Sequence, residues 1–287
     1  MTRAHLDLDS ARSTLVGLAL EEDVGEGDWT TLWTVPSDRR SEAVIVAKQD
    51  MVVAGVDCVR AVYDALDPGM SVDVAAGDGA RVEPGHVLVR LKGPSRSLLI
   101  GERTALNFLG RLSGIATLTR RFVDAVAGTG ARVIDTRKTT PGWRLLEKAA
   151  VRAGGGTNHR VGLWDMVLVK DNHIDASGGV VQAAQAALER NDRKLAVEVE
   201  VRSLEELEAV LPLGVDRILL DNMSPALLRR AVDRARRLGG PRPELEASGN
   251  VTLQNVRAVA ETGVDFVSVG ALTHSAPTAD VSLRVLP

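Results

Sequence analysis

Three cations stand where apolar runs stop. Arg137 and Lys138 follow VIDT (133–136), and Lys170 closes MVLVK (166–170). Arginine recognises carboxylate or phosphate through two parallel hydrogen bonds, whereas lysine acts as a compact point charge. Three such groups at the ends of strand-like runs suit a small, highly charged anion, and Thr136 and the rest of DTRKTTPG add hydroxyls and backbone donors beside them. GGGTNHR (154–160) closes a helical run in glycines and then presents Asn158, His159 and Arg160. Three glycines alone make an ordinary helix end, and a single histidine is usually structural. It is Arg160 beside His159, between two strands, that makes the pair a candidate.

Glu198, Glu200 and Asp221 supply the opposite charge. Side chains two apart on a strand share a face, so Glu198 and Glu200 point the same way. Such carboxylates hydrogen-bond sugar hydroxyls or bind Mg²⁺ through oxygen and water. Alternatively they neutralise the cations as structural ion pairs, and spacing does not separate the two. Ser248-Gly249-Asn250 and Ser268-Val269-Gly270-Ala271 follow the last two strand-like runs. Turns there suit phosphate, which backbone N–H groups and a nearby helix start can hold.

The distribution of charge supports an anion pocket more than the total does. From Arg132 to Lys170 there are eight Lys and Arg against three acids, a net of +5, which leaves −8 for the rest of a chain whose total is −3. That total argues against coating a nucleic acid. A solvated basic helix face accounts for Arg144, Lys148 and Arg152, which recur at helical spacing, but not for Arg137, Lys138 and Lys170. Cys58 is the only cysteine, so one chain can build neither a disulfide framework nor a thiolate metal site. The first residues lack the continuous apolar core of a signal peptide, and no run is long enough to span a bilayer. A cytoplasmic protein without membrane partners is expected.

Positioning these groups requires two kinds of element. Ser10–Glu22 reads as a helix with Ser10 as N-cap, and residues 42–55, 70–76 and 86–92 read as short β-type runs. From Ser97 to about Val126 the pattern is helical, with Ser113-Gly114 as a break that suggests a domain boundary. Beyond it VIDT, MVLVK, AVEVEV (196–201), RILLDN (217–222), LEASGN (245–250) and DFVSVG (265–270) alternate with helical stretches. Ser203 with Glu206, and Ser224 before Pro225, mark helix starts. Parallel strands with crossover helices follow, and polar residues at the C-terminal end of nearly every run point to the mouth of a (β/α) barrel. A doubly wound sheet also gathers strand ends, but no GxGxxG turn opens a helix here.

Read in order, the chain resembles the quinolinate phosphoribosyltransferase family. The resemblance is carried by EDVGEGDWT (22–30), ERTALNFLGRLSGIAT (102–117), DTRKTTPG (135–142), GGGTNHRVGLWD (154–165), VKDNHI (169–174), EVEV (198–201), LLDNM (219–223), EASGN (246–250) and SVGALTHS (268–275). It implies an N-terminal α/β sandwich over 1–112, completed by 274–287, and an open α/β barrel over 113–273. It implies phosphoribosyl transfer from phosphoribosyl pyrophosphate (PRPP) to quinolinate with decarboxylation, on the route to NAD. Quinolinate-binding positions fall on Arg103, Arg137, Lys138, His159, Arg160 and Lys170. Phosphoribosyl and Mg²⁺ contacts fall on Glu200, Asp221, Ser248–Asn250 and Ser268–Ala271, and Lys138, Lys170, Glu200 and Asp221 are the catalytic candidates. A homodimer is implied in which Arg103 enters the partner's site. Asn250 departs from the family's glycine, and asparagine tolerates the left-handed backbone such a turn needs. Two rival readings are a non-catalytic or transport-accessory relative with the same fold, and a phosphoribosyltransferase for another aromatic acid.

Overall fold

The computed structural model describes residues 7–238 and 242–287. They form two compact units. One contains the described residues up to Arg120 together with Thr139–Gly155 and Leu272–Pro287; the other contains Arg121–Lys138 and the described residues of Gly156–Ala271. Among the described residues no helix is long and apolar enough to cross a membrane.

The strands of the first unit are β1 (Arg40–Ala47), β2 (Met51–Val52), β3 (Ser71–Val74), β4 (Arg81–Val82) and β5 (Val87–Pro94). To these the end of the chain adds β12 (Val281–Val285), after six strands that belong to the second unit. An antiparallel sheet runs β12-β1-β5-β3, while β2 and β4 pair separately. The helix Leu8–Val24 starts earlier than its apolar spacing suggests, because Asp7, not Ser10, is the N-cap: its carboxylate accepts the Ser10 amide at 2.8 Å. A carboxylate can reach the free N–H two or three positions on, and Asp7 stands at that distance.

The break expected at Ser113-Gly114 does not occur. One helix runs from Ser95 to Ala125. Ser113 turns its hydroxyl onto Ala54, accepting the amide at 3.0 Å and donating to the carbonyl at 3.2 Å. Gly114 is there for space, since a Cβ on it would overlap the Pro277 carbonyl. Gly114→Ala is therefore expected to cost about 1–3 kcal/mol of stability through overpacking; urea unfolding monitored by circular dichroism would show it as a lower midpoint at unchanged slope. Lys148 also corrects expectation. It lies in the helix Arg144–Ala153 and is only 1% exposed, so that helix does not present a solvated basic stripe.

In the second unit the strands are β6 (Arg132–Ile134), β7 (Val167–Val169), β8 (Val197–Val201), β9 (Arg217–Asp221), β10 (Glu244–Ser248) and β11 (Phe266–Ser268). All pair in parallel, in the order β6-β11-β10-β9-β8-β7. The first strand of the set lies beside the last, as a sheet curling into a cylinder requires, and β6 and β7 are the two free ends. This is an open barrel. Thr157 lies along β6 on its other side, bridging Ile134. All of β8 is buried, with Val197, Val199 and Val201 on one face and Glu198 and Glu200 on the other. The following helices start as their sequences predict: Ser203 accepts the Glu206 amide and Ser224 the Leu227 amide. The return arm of the first cap differs, because Glu206 accepts the Arg202 amide at 2.7 Å.

The N-terminal ends of the strands are packed with charge. Phe266 lies between the guanidinium groups of Arg132 and Arg217, 4.2 and 4.0 Å from its ring centre, and Glu244 bonds both arginines at 3.1 Å. Cations over an aromatic face and ion pairs close this end. The other end is left for ligands.

Candidate active site

A cavity of about 330 Å³ opens in the barrel unit, lined by Thr136, Arg137, Lys138, His159, Arg160, Leu168, Lys170, Leu219, Glu246, Ser248 and Ser268. Its wall begins where β6 ends. Thr136 accepts the Lys138 amide at 3.0 Å, a tight turn that sets Arg137 and Lys138 at the rim. Asp135, fully buried, accepts the Asn158 side-chain amide at 2.6 Å and the His159 backbone N–H at 2.8 Å. One strand-end carboxylate thereby fastens the segment that carries His159 and Arg160. Arg160 bonds the Met166 carbonyl at 3.2 Å, and Asp165 holds the next turn through the Val161 and Gly162 amides at 2.6 and 2.8 Å. Burial and then the neighbouring Arg137 charge pull the Arg160 pKa below its usual value. Two guanidinium groups that repel each other in one cavity favour an anion between them.

Lys170 and Glu200 form an ion pair at 2.7 Å, with the carboxylate 8% and the lysine 44% exposed. Asp221 ends β9 beside Ser248 and accepts the Asn222 side-chain amide at 2.9 Å. Around Gly249 the chain has no room for a side chain, because a Cβ would overlap the Asn222 carboxamide, and φ is +101°. Asn250 does adopt the left-handed backbone, φ 50°, and donates its side-chain amide to Asn222 at 3.1 Å. At the end of β11 the Ser268 hydroxyl bonds the Ala247 carbonyl at 3.4 Å, and the Val269 amide is used by the Ile134 carbonyl at 2.9 Å. Val269 therefore continues the sheet. Gly270 and Ala271 follow it into the short helix Ala271–His274.

Arg103 lies in the first unit, exposed on the helix Ser95–Ala125. The apolar side chains around it, Leu106, Phe108, Leu109 and Leu112, are buried.

The fold and strand ends are those of one family, and direct comparison decides which. Residues 28–113 match the quinolinate phosphoribosyl transferase N-terminal domain, and residues 115–284 match its C-terminal domain. The chain belongs to the quinolinate phosphoribosyltransferase family. It is 45% identical over 267 residues to the probable nicotinate-nucleotide pyrophosphorylase (carboxylating) of Synechocystis sp., covering 93% of this chain and 90% of that one. It is 43% identical over 290 residues to quinolinate phosphoribosyltransferase (decarboxylating) 1b of Nicotiana tabacum, covering 94% and 81%. The solved nicotinate-nucleotide pyrophosphorylase from Francisella tularensis superposes with a TM-score of 0.92 at 38% identity, over 100% of both chains.

In and around the cavity of this quinolinate phosphoribosyltransferase-family chain, sequence reasoning missed Glu246 and Asp135 and left Glu198 undecided. Glu246 was visible in principle, since it lies two positions before Ser248 on the same strand face. Glu198 and Glu246 converge on His159, whose Nε2 is 2.8 Å from one carboxylate and 3.3 Å from the other. Burial draws the His159 pKa down and the hydrogen bonds and charge of the two carboxylates outweigh it, favouring a proton on Nε2, while the Arg160 N–H aimed at Nδ1 opposes a second proton on the ring. Burial and the Glu246 charge raise Glu198 to about 7 against the pull of His159. Glu246 is held below the usual carboxylate range: burial acts against this, but the His159 hydrogen bond and charge prevail, with help from Ser268. On the ring's other side Nδ1 accepts the Arg160 amide at 2.7 Å, so a second ring proton would have to displace that contact.

Proposed function

We propose that this protein transfers the phosphoribosyl group of PRPP to the ring nitrogen of quinolinate with loss of carbon dioxide, giving nicotinate mononucleotide and pyrophosphate. The observation that carries this reading is the cavity ringed by Arg137, Lys138, Arg160 and Lys170 at the barrel mouth of a chain of this family. Quinolinate brings two carboxylates, and PRPP a phosphate and a diphosphate, so the pair of substrates requires several cations.

Arg137, Lys138, His159, Arg160 and Lys170 are assigned to the dicarboxylate. Glu200 and Asp221, with the Ser248–Asn250 and Ser268–Ala271 turns, are assigned to the phosphoribosyl group. Departure of the diphosphate develops positive charge at the ribose C1′, which nearby carboxylates stabilise. The ring nitrogen attacks that carbon, and the resulting pyridinium stabilises the carbanion left on the adjacent ring carbon as its carboxylate departs as carbon dioxide; a proton taken up from solvent then fills that position. No enzyme nucleophile is required. Glu200 and Asp221 are hard oxygen donors on adjacent strands, a set that fits Mg²⁺ held by one or two carboxylates plus waters and substrate phosphates. They would hold the ion directly or through water, and it would neutralise charge on the leaving diphosphate. Lys170, paired to Glu200 at 2.7 Å, orients that carboxylate beside the ribose.

Two further assignments belong to this reading. The protein acts as a homodimer in which Arg103 serves the partner's site. Its compartment is a reducing one, the cytoplasm, a reading supported by Cys58 being the only cysteine, so that no disulfide framework can be built within the chain.

Incubation with quinolinate, PRPP and Mg²⁺ should release carbon dioxide and nicotinate mononucleotide in equal amounts; neither product above a no-enzyme control would refute the reading. Nicotinate lacks the second carboxylate and leaves a cation of the cavity unpaired. Its kcat/KM is expected to be at least about 30-fold lower, as a loss of 2 kcal/mol or more implies. Equal use of the two acids would point to a different aromatic acid as substrate.

A further inference from the structure

His159 lines the cavity, yet both of its ring nitrogens are engaged within the protein. Nε2 faces Glu198 at 2.8 Å and Glu246 at 3.3 Å, and Nδ1 accepts the Arg160 amide at 2.7 Å. A ring nitrogen that accepts an N–H does not carry a proton of its own, so the proton is on Nε2 and is directed at the carboxylates. Those carboxylates are 0% and 1% exposed and come from β8 and β10, on either side of β9. They meet inside the barrel, where Glu246 reaches the cavity lining and Glu198 lies behind it. Asp135 completes the arrangement by holding Asn158 and the His159 amide.

We propose that Glu198 and Glu246 are positioning residues for recognition of the acid substrate, acting through His159. They hold the imidazole in its Nε2–H form, and its Nδ1 then fixes the backbone of Arg160, whose guanidinium borders the cavity. His159 offers a ligand the face and edge of its ring rather than a hydrogen bond. The same three side chains, with their ligand-type atoms within 4.8 Å of one another, are also an arrangement that could hold a metal ion. The tautomer opposes this. A cation would take the Nε2 lone pair, move the ring proton to Nδ1, and set it against the Arg160 N–H. The inference rests on the cavity taking quinolinate, but its first test does not.

That test is nitrogen NMR of the intact wild-type protein labelled in histidine, with His159 assigned by its loss in His159→Gln. At neutral pH the expected signature is an unprotonated Nδ1 and a protonated Nε2. A protonated Nδ1 would overturn the proposal, whatever the protein's activity. The kinetic test uses Glu198→Leu, which removes an acceptor from a residue outside the cavity lining. KM for quinolinate should rise about 10-fold or more, the usual effect of losing a supporting partner, with kcat and KM for PRPP changing less than about threefold. Glu198→Gln keeps an acceptor and should recover quinolinate KM to within about threefold of wild type. A folded Glu198→Leu protein with unchanged quinolinate KM, or one that loses only kcat, would sink the positioning role. Should Glu198→Leu fail to fold, the Gln variant and the wild-type spectrum still decide. A wild type that turns over no quinolinate overturns the functional reading instead, and leaves the spectrum to judge the tautomer.

Discussion

Lys138→Met is expected to fold normally and to lower kcat/KM for quinolinate by about 30-fold to several thousand-fold, the equivalent of about 2–5 kcal/mol. The fold should survive because Lys138 is exposed at the end of β6, where Thr136 accepts its backbone amide and shapes the turn. The penalty arises on binding. When quinolinate fills the cavity its carboxylates leave water, and one that has lost its cation keeps the desolvation cost without the compensating pair. Methionine preserves the aliphatic stem, so the comparison isolates charge. Steady-state kinetics with quinolinate varied, alongside thermal unfolding, measures both halves of the prediction. Unchanged kinetics in a folded variant would reduce Lys138 to a solvated charge at the rim.

The second large effect concerns Arg103, and it is a matter of which chain's site it serves. Arg103 belongs to the first unit and the other candidate cations to the barrel unit. Its exposure leaves it able to face a neighbouring copy, while Leu106, Phe108, Leu109 and Leu112 are buried. In a symmetric dimer with shared sites, Arg103→Ala and Lys138→Ala proteins should each be nearly inactive alone. After subunit exchange, a heterodimer carries one site with both lesions and one with neither, so activity should return toward half of wild type per heterodimer. If mass analysis confirms exchange and activity does not return, Arg103 serves its own chain or is structural. A single-chain site gives every heterodimer one lesion in each site, which is why the mixture separates the two cases.

The sequence by itself determined the features set by local rules. Parallel strands place polar residues at a common end, so Arg137, Lys138, Lys170, Glu200 and Asp221 could be recognised as strand-end groups without coordinates. Helix starts at Ser203 and Ser224 were equally legible, because a cap is made within a few residues. Left-handed Asn250 was foreseeable for the same reason.

What only the tertiary structure decided depends on residues far apart in the chain. Ser113-Gly114 reads as a break because glycine lowers helix propensity, and only the carbonyl of Pro277 reveals that it admits a close approach instead. Lys148 recurs with Arg144 and Arg152 as if on a wet face, yet it is buried, because helical spacing identifies a face and not what covers it. His159 shows the limit most clearly. Beside Arg160 it reads as a candidate ligand-binding residue, but Glu198 and Glu246 arrive from two other strands and turn its proton into the barrel. Period-two alternation places each of those glutamates on an inward face; which partner they find there follows from how the strands are ordered around the barrel, and that ordering is a property of the folded sheet.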